Sequence, residues 1–385
     1  MANRSKRIFI SDIHMGDERS INDPNHYGWF KNNIPVLTQF LDDQLKAPDV
    51  KEVIILGDLF DTWVIPVNYA PLIAFDNICS NLANKPVLDK LKALAANGEL
   101  AYVPGNHDMA MDAAGISATK QFMETNFPRI RIFCNNAVPW GTYTMDNLAA
   151  EHGNHYCLFN APDIWTVPQN SFLPLGYFIS RVAAYKSLKT GQTEDPRNVF
   201  LNFLRDFMKN PDFIEDMLAA IVKDAGLNPS DNLDVTGVPG YTATITVETI
   251  GKRFSNLIQK WRNTSGNINF PTAIIGDLEN LSSAASLAYF DHFGSNTNIV
   301  IFGHTHVPVM DKHYDFDIPS PSGEPYHSPD DPCSSIYVNS GCWVDSGKYD
   351  CTYVETEEIP DQKRHYVRLK KYPGNACTDE GFVKI

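Results

Sequence analysis

Residues 299–306 read Ile299-Val300-Ile301-Phe302-Gly303-His304-Thr305-His306. Four apolar residues in a row predict a buried strand, and the glycine after them predicts a sharp turn at its C-terminal end. The turn presents His304 and His306, one residue apart, and imidazole is the commonest metal-ligating side chain. Two imidazoles on one turn cannot hold a metal alone, so the chain must supply partners elsewhere.

Other predicted strands supply them. Arg7 to Ser11 predicts a first buried strand, which delivers Asp12 and His14 with the same i, i+2 spacing. Residues so spaced in extended chain point to one side, so both can face one ion. Glu52 to Leu56 predicts a second strand ending in Gly57-Asp58-Leu59-Phe60-Asp61. Leu100 to Val103 predicts a third, ending in Pro104-Gly105-Asn106-His107-Asp108. Strands are also predicted around 129–133 and 147–150, and Glu151-His152-Gly153-Asn154-His155 follows the latter. Taken singly, each cluster has a bland reading: Asp58 or Asp61 could cap a turn, and Asn154, His155 and Cys157 read as structural neighbours. Jointly they are five strand ends carrying metal-competent side chains, and active sites of open α/β sheets lie at the carboxyl ends of strands.

Between the strands the pattern predicts helices. Leu37, Phe40, Leu41 and Leu45 share one face, and a second helix runs from Pro86 to Gly98, residue types suited to a first turn and a C-terminal cap. A third is predicted near 117–126. The unit is strand–helix, so the class is α/β.

The ordered set D-x-H, G-D-x-x-D, G-N-H-D, H-G and G-H-T-H resembles the calcineurin-like metallophosphoesterases over residues 7–155 and 272–345. The resemblance implies a four-layer α-β-β-α sandwich of two mixed sheets with an inserted helical cap. It divides the chain into a first core part (1–158), a mainly helical cap (159–270) and a second core part (271–385). It implies two divalent metal ions, Mn favoured, with Fe, Zn, Co or Ni equally compatible with mixed N/O ligands. One ion would take Asp12, His14, Asp58 and His306; the other would take Asp58, Asn106, His152 and His304, with Asp58 bridging. The implied reaction is in-line attack of a metal-bridging hydroxide on a phosphomonoester or phosphodiester. His107 would stabilise the phosphoryl oxygens or protonate the leaving oxygen, with Asp108 orienting its ring.

Within 159–270 the chain is aromatic and reads as helices over 175–188, 196–209, 213–224 and 247–262. Val199, Phe200, Phe203, Leu204 and Phe207 form an apolar stripe that reads as the cap's own core. Arg181, Lys186, Arg197, Lys252 and Arg253 are candidate phosphate contacts. Beyond the cap, 272–275 predicts a strand and 283–293 a helix. Strands over 335–339, 351–357 and 365–372 are expected to close the second sheet in antiparallel fashion.

Composition bounds the rest. The 385 residues, 43% hydrophobic and 20% charged, suit one large domain with an insertion, or two domains. A net charge of -14 argues against a duplex nucleic-acid partner, though bound metals reverse the local field for a small phosphorylated substrate. Seven cysteines without CxxC spacing suit a reducing compartment, and a cytoplasmic location is expected. No stretch approaches the roughly 20 apolar residues that span a bilayer. Gly57-Asp58-Leu59-Phe60-Asp61-Thr62-Trp63 with a helical insertion also resembles the UDP-2,3-diacylglucosamine pyrophosphohydrolase branch, but that branch usually has Arg at the position of His107. A non-catalytic scaffold on the same fold is the distant alternative, and every expected ligand position is filled here.

Overall fold

The structure, a computed structural model, describes residues 4–22, 26–71, 75–110, 117–134, 140–162, 173–191, 213–255, 281–291, 296–315, 327–328, 331–347 and 350–384. Two mixed sheets form the centre. In the first the order is β14 (Ala376–Lys384), β13 (Arg364–Lys371), β12 (Thr352–Ile359), β1 (Lys6–Ile10), β2 (Val50–Leu56), β3 (Leu100–Val103) and β4 (Arg131–Ile132). In the second it is β10 (Val309–His313), β11 (Ser335–Asn339), β9 (Ile299–Phe302), β6 (Leu148–Ala150) and β5 (Tyr143–Met145). A separate pair joins β7 (Asn232–Asp234) to β8 (Thr244–Thr246).

Strand alternation sorts the apolar residues into layers. Phe9, Ile54 and Leu56 point inward and meet Ile299, Ile301, Ile336 and Val338 in a core between the sheets. Their neighbours Ile8, Ile10, Val53 and Ile55 face outward. There they pack under α1 (Ile34–Lys46), α2 (Lys85–Asn97) and α3 (Ala118–Asn126). On the far side Val300, Phe302 and Tyr337 meet Leu281, Ala284 and Ala285. The result is the four-layer sandwich.

The helices follow their sequence signals. Leu37, Phe40, Leu41 and Gln44 are the buried stripe of α1. Pro86 sits in the first turn of α2, and Gly98 caps its end at φ 75°, a left-handed conformation that glycine adopts without strain. Ser117 caps α3 by accepting from Lys120 N. Three further helices, α4 (Leu175–Thr190), α5 (Phe213–Asp224) and α6 (Val247–Phe254), build their own apolar cluster. Trp63, Val67 and Met109, from the loops after β2 and β3, belong to that cluster. Among the described residues no helix is long and apolar enough to cross a membrane.

Some expectations need correction. The late strands do not together close the second sheet. Only β11 belongs there, and it runs parallel to β9. Instead β12 pairs antiparallel with β1 and carries β13 and β14 onto the first sheet. The reason is alternation: Val354, Val367 and Leu369 enter the inter-sheet core, while Arg368 meets Glu355 and Glu357 on the other face. Such half-charged strands need one wet face. The helix predicted at 283–293 is a short turn, Ser282–Ala285, continued as a π-helical turn over Ser286–Phe290. The helix at 196–209 with its aromatic stripe, the strand at 272–275, residues 256–262 and Arg197 lie outside the described residues.

Candidate metal centre

The site is built by backbone that side chains rarely adopt. Asp12, His14, Asp58, His304 and His306 take φ of 54°, 56°, 52°, 71° and 59°. Left-handed non-glycine residues are uncommon and persist only where the surroundings fix them. Here Asp58 O accepts from Ile13 N (2.9 Å) and His14 N (2.8 Å), and Asp12 O accepts from Trp343 N (3.0 Å). Asp12 Oδ2 accepts from His304 N at 2.9 Å and from the Ser11 hydroxyl. Thus the strand-end loops of both sheets are tied to one another.

Gly303 does not supply the sharp turn expected of it. Positive φ falls on His304, and Gly303 is needed for space: a Cβ there would lie 2.5 Å from Ser11 Oγ and 2.8 Å from Asp12 Oδ2. Gly105 is packed more tightly still, with Asp58 Oδ1 2.1 Å and Asp58 N 2.5 Å from where its Cβ would stand.

The seven expected metal-binding residues come together from both sheets. Asp12, His14 and His306 form one group with ligand atoms mutually within 4.8 Å, and Asp58, His152 and His304 form another. Asp58 Oδ2 lies between them, 3.6 Å from His14 Nε2 and 3.1 Å from His152 Nε2. Asn106 joins the second group, with Oδ1 3.0 Å from His152 Nε2. His152 Nδ1 faces Leu56 O at 2.7 Å and His14 Nδ1 faces Asp61 Oδ2 at 3.1 Å, so both rings can donate backward and offer Nε2 to an ion.

His107 stands beside these groups, its ring 4.6 Å from that of His14. Its partner differs from the expected one. Asp61 Oδ1, not Asp108, faces His107 Nδ1, at 3.0 Å. Asp108 is turned inward, accepting from Gly105 N at 2.7 Å and Leu59 N at 2.8 Å, so it fastens the loops and cannot also reach the ring. Asp61 thereby orients two imidazoles, and it caps its own turn by accepting from Trp63 N and Val64 N. Two aromatics complete the walls. Trp63 stacks on His107 at 4.6 Å and 30°, and Trp29 lies edge-on to His14 at 4.9 Å. Trp63 was visible as the end of the Gly57–Trp63 motif; Trp29 had no signal beyond being aromatic in a loop. Asn154 bonds Asn160 O, His155 packs on Trp140, and Cys157 joins the outer apolar layer, all structural as expected.

The electrostatics ask for cations. Burial opposes charge on Asp12, Asp58 and Asp61, yet the histidines hold all three below the usual carboxylate range. In return, against burial, the carboxylates push His14 up to about 10 and His152 up to about 9. Burial, and then the neighbouring Asp58, push Asp108 up to about 6. Protons on imidazoles are the only positive charge this cluster can recruit from its own side chains. His14 Nε2 and His306 Nε2 meet at 3.2 Å, and buried Asp12 Oδ1 lies 3.2 Å from His306 Nε2 with no well-formed hydrogen bond. Converging ring nitrogens and a carboxylate oxygen on one point fit a divalent ion that replaces those protons. The His/Asp clusters fit a dinuclear divalent centre.

The four candidate cap cations among the described residues have partners within the protein. Arg181 is buried and donates to the carbonyls of Ile65 (3.2 Å), Pro66 (3.2 Å), Tyr69 (2.6 Å) and Asp234. Lys186 pairs with Asp224, Lys252 with Glu248, and Arg253 bonds the Tyr241 hydroxyl.

A family profile described as calcineurin-like phosphoesterase matches residues 5–308. No curated protein matches the chain. Among solved structures, a dimetal phosphatase from Danio rerio is 8% identical, covers 99% of both chains and has a TM-score of 0.37. A purple acid phosphatase from yellow lupin (Lupinus luteus) is 10% identical, with 99% of this chain against 53% of that one and a TM-score of 0.39. Likenesses this loose carry no argument for the present chain.

Proposed function

This chain belongs to the calcineurin-like phosphoesterase family, a phosphoric ester hydrolase, and we propose that its strand-end cluster cleaves a small phosphomonoester or phosphodiester at a dinuclear centre. Asp12, His14, Asp58 and His306 would hold one ion, and Asp58, Asn106, His152 and His304 the other. The observation that carries this reading is Asp58 Oδ2, 3.6 Å and 3.1 Å from ring nitrogens of the two groups, as a shared ligand requires. Two such ions would supply Lewis acidity that lowers the pKa of water and offsets charge on the phosphoryl oxygens. Manganese is our first choice of ion.

The chain's own residues do the remainder. Asp61 and Leu56 O fix the His14 and His152 tautomers that leave Nε2 free. Asp61 also steadies His107 through Nδ1, so that Nε2 can carry a proton to the leaving oxygen. Trp63 stacks on that ring and excludes water from it. No side-chain nucleophile is required. We assign residues 159–270 as a cap, supported by the apolar cluster that α4–α6 share with Trp63 and Met109. A cytoplasmic setting suits seven cysteines without paired spacing.

The test is hydrolysis of bis(p-nitrophenyl) phosphate and p-nitrophenyl phosphate with Mn²⁺, by wild type and His107→Ala, with metal content measured alongside. His107→Ala should keep two ions and lose roughly 10²–10⁴-fold in turnover. Loss of metal instead would make His107 a ligand, and a metal-free, inactive wild type would return the chain to the scaffold reading.

A further inference from the structure

A cavity of about 240 Å³ opens directly beside the metal centre, and His306 is part of its wall. Its other walls come from two strand-end loops: His26, Trp29 and Asn32 after β1, and Val344 and Ser346 after β11. We infer that this cavity receives the organic group esterified to the phosphate, and that it selects a flat, uncharged ring of about one ring system. This rests on the hydrolase reading above and extends it to substrate class.

The loops are clamped, so the cavity is preformed. Asp345 Oδ2 accepts from Lys31 N (2.9 Å) and Asn32 N (2.8 Å), and Oδ1 accepts from Asn33 N (3.0 Å). The Asp345 backbone N donates to Trp29 O at 2.8 Å. Consequently the one carboxylate in the wall is spent on backbone donors, and Trp29 is held at a fixed place. Its ring also touches those of His14, His107 and His306, at centroid distances of 4.9, 5.6 and 6.1 Å, so it is the partition between cavity and metal centre.

Three features define the occupant. First, the Trp29 ring and Val344 offer apolar surface, and an indole face favours a stacked ring over a chain. The imidazole of His26 and the amide of Asn32 supply polar contacts around that surface. Second, among the described residues no lysine or arginine lines the cavity; Lys31, next to it, donates instead to Ile21 O at 3.0 Å. A second phosphate in the leaving group would find no counter-charge there. Third, the volume of about 240 Å³ suits one ring system and lies below the ~300 Å³ at which pockets for drug-sized ligands begin.

Phosphonates test this without turnover, because they keep the anion and vary only the organic group. Methylphosphonate and benzylphosphonate would be titrated calorimetrically into Mn²⁺-loaded wild type, Trp29→Ala and Ser346→Trp, with metal content checked in each. Wild type should bind benzylphosphonate at least about 10-fold more tightly than methylphosphonate. Both variants should lose that preference, one by removing the platform and the other by filling the mouth. Equal binding of the two phosphonates by wild type would overturn the inference, as would a preference that survives in both variants. Failure of both phosphonates to bind metal-loaded wild type would overturn the hydrolase reading itself, and so separates the two.

Discussion

At the scale of single residues, Asp61 is the hinge of the site. One carboxylate faces His14 Nδ1 at 3.1 Å and His107 Nδ1 at 3.0 Å, so it touches a candidate metal ligand and the candidate acid together. Asp61→Asn retains the shape but exchanges one acceptor oxygen for a donor, leaving one of the two rings without an acceptor. Metal affinity should fall roughly 10–100-fold, read by competition with a chelating dye. Turnover should fall further than metal loss alone explains, and an unchanged affinity and rate would remove Asp61 from this role. The same residue shows what spacing conceals. Asp61 stands four residues beyond Gly57 and Asp108 three beyond Gly105, and only the loops' mutual approach decides which carboxylate turns to the ring and which to backbone.

At the scale of elements, the strand-end loops touch so closely that a methyl group matters. In Gly303→Ala the new Cβ would meet Ser11 Oγ and Asp12 Oδ2 at 2.5 and 2.8 Å, so Asp12 must shift and its bond to His304 N must break. We expect this variant to bind fewer than two metal ions per chain by elemental analysis, while its far-ultraviolet circular dichroism is unchanged. Full metal content would show that the loop gives without cost. A second element-level link is Arg181, which ties α4 to the loop around 65–69 and to β7. Arg181→Met would strand several buried carbonyls and should destabilise the protein by about 3 kcal/mol or more in urea, since each orphaned buried acceptor costs ~1–3 kcal/mol. A loss under about 1 kcal/mol would mean that water takes over its bonds.

For the whole molecule, the two sheets meet at a buried histidine whose charge state depends on folding. His365 on β13 faces Asn147 Oδ1 at 3.0 Å, and burial, with Arg7 nearby, holds its pKa down at about 4. The unfolded chain therefore takes up a proton near pH 6.5 that the folded chain refuses until about pH 4. Stability from this residue is complete above pH 6.5 and is lost progressively as pH falls to about 4, by at most about 3 kcal/mol. Urea midpoints between pH 7 and 4.5 should fall more for wild type than for His365→Asn; equal slopes would show that His365 is not the titrating group.

The sequence by itself determined the chemistry. Strand periodicity and the residues directly after each strand placed Asp12, His14, Asp58, Asn106, His107, His152, His304 and His306 at carboxyl ends, because strand ends and their turns are local properties of the chain. Local signals also marked α1, α2 and α3. What only the tertiary structure decided was which distant groups face each other: Asp61 against His107, Trp29 against His14, β12 beside β1, and Arg181 consumed by backbone carbonyls. These depend on how two sheets and several loops pack in space. A single chain's spacing carries no information about such approach, and for that reason the cavity beside His306 could be found only in the folded protein.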